Sequence, residues 1–130
     1  MLKPTLIFIG AGLGGLLRYW LGGMVQNWWG PSFPLGTMAV NVTGCLVMGF
    51  LVTAWYGPVL VRDEVRIAVL VGVLGGYTTF STFGRETLAL VHDGEWLRAG
   101  VYILGSVVLS LLGVWLGSVL AGRLYGTGAP

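Results

Sequence analysis

Apolar residues fill this chain in four long runs, at residues 5–28, 35–56, 64–91 and 96–124. Each run is near or above the roughly 20 residues that a helix needs to cross a bilayer. The gaps between runs are short and carry turn residues: Gly30-Pro31 and Pro34, Gly57-Pro58, and His92-Asp93-Gly94. Trp28, Trp29, Trp55, Tyr56, Trp96 and Tyr125 gather near the boundaries. Such rings, apolar with one polar edge, favour the membrane–water interface. The pattern predicts an all-α membrane protein of four transmembrane helices, a single domain over residues 1–130. The tail from Gly126 onward, GTGAP, is expected to be disordered. Lys3 before an apolar run resembles the start of a signal peptide. The run continues past Arg18 without a small-residue cleavage pattern, so it reads as a retained helix.

The third run departs from the Leu, Ile and Val of its neighbours. Gly75 to Phe83 reads GGYTTFSTF. Adjacent glycines and adjacent β-branched threonines are poor material for an unbroken helix. Tyr77 to Thr82 supply five hydroxyl groups within six residues. Non-helical backbone survives in a membrane only where it is buried in protein or lines a watery cavity. A break in the third helix is therefore expected here, and with it the function.

Composition agrees with the membrane reading. Hydrophobic residues make up 55% of the chain and charged residues 9%, against about 25% charged in soluble domains. The formal net charge of +2, without a basic cluster, gives no reason to expect nucleic acid as a partner. Cys45 is the single cysteine; it excludes an internal disulfide and reads as a small packing residue. Lys3, Arg62, Arg66 and Arg123 fall on one side of a four-span topology, and one to three arginines on the other. So weak a positive-inside bias permits insertion both ways, and hence an antiparallel dimer. GxxxG spacings at Gly10/Gly14, Gly72/Gly76 and Gly113/Gly117 favour close helix contact, within a subunit or between subunits.

Polar side chains inside membrane helices are costly, so their spacing is informative. Thr37 and Asn41 are four apart and share a face of the second helix. Tyr102, Ser106 and Ser110 recur every four residues down the fourth. Phe80 and Phe83 face one way on the third, while Ser81 and Thr82 point elsewhere around the same turn. A single serine in such a helix is usually glue between helices; a stripe is harder to dismiss. The first, second and fourth runs hold no interior carboxylate, and Glu86 is the one candidate on the third, beside Arg85. There is no HExxH, no Ser/His/Asp set and no phosphate loop, so the chain does not read as an enzyme. Neutral N–H and O–H donors suit an anion that must be admitted and released. The electropositive edge of a phenylalanine ring suits it too. Arg18 either offers an attracting charge near a pore mouth or snorkels to the headgroups.

Three blocks carry a family resemblance: GGLLRY from Gly14, PLGTMAVNVTGCLVMG from Pro34 and GVLGGYTTFSTF from Gly72. Together they resemble the signature blocks of the CrcB/Fluc fluoride channels, over nearly the whole chain. The resemblance implies a fluoride-selective channel that passively exports fluoride from a prokaryotic cell, in the plasma or inner membrane. It implies an antiparallel dimer with two pores and broken third helices crossing at its centre, of two like chains or of an oppositely biased pair; the weak charge bias leans to a homodimer. Phe80 and Phe83 would face fluoride, with Asn41 as the pore amide. Tyr102, Ser106 and Ser110 would form a polar track, with Thr37 and Thr82 nearby. Arg18 would lie near a vestibule. Backbone carbonyls of Gly75 and Thr78 would hold a structural, non-transported Na+. A small four-helix, dual-topology proton-coupled transporter is the alternative, as is a non-transporting helical scaffold.

Overall fold

A computed structural model describes residues 2–126. The tail beyond Gly126 lies outside the described residues. Helix α1 runs Leu2–Trp29, α2 Leu35–Trp55, and α6 Trp96–Tyr125. Between α2 and α6 the chain is helical in pieces: α3 (Asp63–Ile67), a π-helical segment (Ala68–Val73), α4 (Leu74–Tyr77) and α5 (Phe80–His92). Residues 63–92 together form one stretch long and apolar enough to cross a membrane, and α1, α2 and α6 are the other three. The protein is thus all-helical and multi-pass, with helix bounds within three residues of those expected.

The helices pack as two pairs, α1 against the π segment and α4, and α2 against α6. Glycine allows both. A Cβ on Gly10 would lie 3.0 Å from the Val73 amide nitrogen, and one on Gly14 would run into the Val73 carbonyl. Gly76 sits in turn on the Ala11 backbone. On the other pair, Gly117 meets the Leu46 carbonyl and Gly49 the Val114 carbonyl. All three GxxxG spacings therefore serve contacts within one chain.

The bend in the third span falls on the threonines rather than on the glycines. Gly75 and Gly76 are helical; Thr78 and Thr79 are extended, with φ/ψ of −77°/156° and −150°/121°. Thr78 ends α4 by turning both its N–H and its hydroxyl to the Leu74 carbonyl, each at 3.0 Å. Thr79 then starts α5, its hydroxyl accepting the Thr82 N–H at 3.2 Å. That is the usual work of a threonine N-cap.

At the ends of the spans, charge is locally paired. Arg66 bonds Asp63 and stacks over Tyr56, 4.2 Å from the ring centre. Arg98 bonds Glu95 at 2.9 Å. Gln26 ties the α1–α2 turn: its amide donates to the Gly30 and Phe33 carbonyls and accepts the Gly36 N–H.

Candidate functional site

Breaking a helix inside a membrane exposes backbone groups that water cannot satisfy. Here two side chains from other helices take them. Asn41 on α2 donates its amide to the Thr79 carbonyl at 2.9 Å and accepts the Thr79 N–H at 2.8 Å. The Thr78 carbonyl accepts from Arg18 of α1 at 3.4 Å. Arg18 thus reaches the bend itself. Tyr77, buried, adds a third tie through its hydroxyl, 2.9 Å from that of Thr43.

The bend opens onto a groove of ≈ 300 Å³ between α2, α5 and α6. Asn41, Phe80, Phe83, Ser106 and Ser110 all line it, so five residues chosen by helical spacing converge. The Phe80 and Phe83 rings lie 5.4 Å apart at 40°. Phe80 is 82% exposed, open for something outside this chain to cover. Ser106 is 5% exposed, and its hydroxyl has no hydrogen-bond partner. A buried hydroxyl left alone in an apolar setting costs about 1–3 kcal/mol, so this one has a hydrogen bond to offer to water or to an ion.

Tyr102 and Thr37 lie beside the groove and meet at a residue whose role the sequence left open. Tyr102 is fully buried, with Phe83 5.2 Å away and Phe33 edge-on at 5.6 Å. Its hydroxyl donates to Glu86 Oε2 at 2.7 Å, while Thr37 donates to Oε1 at 3.0 Å. Arg85 stands 3.8 Å from the same carboxylate, mostly in the open. The Glu86 side chain is only 20% exposed, so its two hydroxyl partners do most of the work of holding it. It also lines a second hollow of ≈ 460 Å³, with Gln26, Asp93, Glu95 and Arg98. The spacing signal was present: Glu86 follows Phe83 by three positions and shares its face. Thr82 belongs to the α5 cap, its hydroxyl accepting from that of Thr79 at 3.1 Å, and is not among the groove residues. Tyr102→Phe is expected to cost about 1.5–3 kcal/mol, since a partly buried carboxylate loses its shortest donor. Thermal unfolding in detergent reads this out, and Glu86→Gln should cost less.

Four helices long and apolar enough to span a membrane, with a groove lined by amide, hydroxyl and aromatic side chains, define a small multi-pass helical membrane protein. Residues 5–118 match the family described as CrcB-like protein, Camphor Resistance (CrcB), and the chain belongs to that family. It is 45% identical over 123 residues to a fluoride-specific ion channel FluC of Paramagnetospirillum magneticum, covering 93% of this chain and 96% of that one. A protein of the same name from Opitutus terrae is 47% identical over 117 residues, 88% of this chain and 89% of its own. In a third, from Methylococcus capsulatus, identity is 48% over 118 residues, and the chain spans about half (52%) of that relative.

Proposed function

We propose that this protein is a fluoride-selective channel that lets fluoride leave the cell passively, with the groove as one wall of its path. The observation that carries the reading is the lone hydroxyl of Ser106. It lines a space shared with the Asn41 amide, the Ser110 hydroxyl and the rings of Phe80 and Phe83. Hydroxyl and amide donors bind an anion without the grip of a fixed positive charge, so the ion can leave again. Ring edges add an electropositive surface that sheds its ion as readily. The relatives' shared name supports fluoride as the ion. Phe80's exposure supports a second, antiparallel copy closing the groove, which gives two paths per dimer.

The donor set at the bend suits a structural Na+. The Thr79 N–H, which would continue the helix onto the Gly75 carbonyl, is turned to Asn41. Gly75 is exposed, with nothing within 4 Å of where a Cβ would stand. The Thr78 carbonyl carries one long bond from Arg18, which leaves a second lone pair. Carbonyl oxygens at a helix C-terminus favour a hard cation. Gly75 and Thr78 of each of two chains would hold it, and the ion would pin the crossing without moving through the path.

Purified protein in fluoride-loaded liposomes should release fluoride to an ion-selective electrode without a proton gradient. Ser106→Ala is expected to slow release roughly tenfold. Release that needs a pH gradient would favour a proton-coupled transporter built on Glu86. No release at all would leave a scaffold.

A further inference from the structure

Two sulfur-bearing side chains line the groove, and neither has been given a role so far. Cys45 and Met48 are three residues apart on α2, spacing that puts them on one face. Both line the cavity that Phe80 and Phe83 line. Both are half-buried, and Cys45 is a free thiol. Ser106, 5% exposed and without a partner, lines the same space from α6. A serine with an unpartnered hydroxyl and two sulfur-bearing side chains therefore line one cavity of ≈ 300 Å³, ample for a single ion. Thiolate and thioether are soft ligands, which take soft, thiophilic cations in preference to hard ones.

We propose that Cys45 and Met48 form a site for a soft metal cation inside the groove, and that the bound cation closes the path. The closing half of this rests on the groove being the ion path. With mercuric chloride the Cys45 S–H bond is replaced by an S–Hg bond. The proton and one chloride leave, and Met48 adds a lone pair from its thioether. No electron changes hands. Mercuric chloride is small and neutral, so it reaches a groove within the membrane from either side.

The test uses liposomes holding wild type, Cys45→Ala or Met48→Leu, each compared with its own untreated rate. Wild type should lose flux roughly tenfold or more and show one mercury adduct per chain by intact mass, both reversed by excess dithiol. Cys45→Ala should keep its rate and carry no adduct. Met48→Leu should need roughly tenfold more mercury for the same loss. Equal block of Cys45→Ala would overturn the site. Equal sensitivity of Met48→Leu would overturn the second sulfur. A Cys45 adduct with undiminished flux would overturn the closure. Absence of fluoride release before treatment, with the adduct still forming, would count against the channel reading and leave the metal site standing.

Discussion

Asn41→Leu is expected to abolish fluoride release and to destabilise the fold by about 2–6 kcal/mol. Leucine keeps asparagine's branched outline of four heavy atoms but has no polar atom. The Thr79 N–H and carbonyl, now bonded at 2.8 and 2.9 Å, would both lose their partner at once. Each unsatisfied backbone group away from water costs about 1–3 kcal/mol, and a membrane offers no replacement. The chain would then reshape the bend, and Phe80, the first residue of α5, would move with it. Thermal unfolding in detergent and liposome efflux measure the two effects. A variant that melts with wild type and conducts at the wild-type rate would show that the bend holds itself.

Gly117→Ala and Gly49→Ala should be nearly as damaging, through packing instead of hydrogen bonds. A Cβ on Gly117 would strike the Leu46 carbonyl and stand 2.8 Å from the Phe50 amide. One on Gly49 would strike the Val114 carbonyl and stand 2.9 Å from its Cα. The obstacles are backbone, so no side chain can swing aside and α2 and α6 must part. Overpacking of this kind costs about 1–3 kcal/mol or more, and it separates Asn41 from Ser106 across the groove. Gly105→Ala is the control. Only the methyl end of Met38 lies near it, at 3.4 Å, so this variant should be neutral or slightly stabilising, within about 1 kcal/mol. Should Gly117→Ala melt no lower than Gly105→Ala, the α2–α6 contact is looser than described.

The four spans were legible because apolar length is the plainest signal a membrane chain carries. The groove was legible because helical spacing alone set Asn41, Phe80 with Phe83, and Ser106 with Ser110 each on a face. What escaped was anything decided between helices. Glu86 stood in the sequence only as an interior carboxylate beside Arg85; besides that arginine, two hydroxyls on α2 and α6 hold it, and neither is near it in sequence. Glycines were expected to share in breaking the third helix. Gly76 instead spends its small size on the Ala11 backbone and stays helical, so the bend falls to Thr78 and Thr79. Arg18 was placed at a mouth or among headgroups, and the Thr78 carbonyl it reaches is invisible until the chain folds. The π-helical segment at Ala68–Val73 has no sequence signature, being apolar like its surroundings.

The clamp at the bend bears on how such a protein tolerates change over time. Asn41 grips the main chain of Thr79 and ignores its side chain. Any residue able to adopt the extended conformation at position 79 would present the same N–H and carbonyl. Position 41 is therefore bound to an amide whatever residue stands at 79, and position 79 answers to the α5 cap instead. The two positions touch, yet a change at one gives no reason for a compensating change at the other. Correlated substitution across related chains would pass over the contact on which the bend most depends.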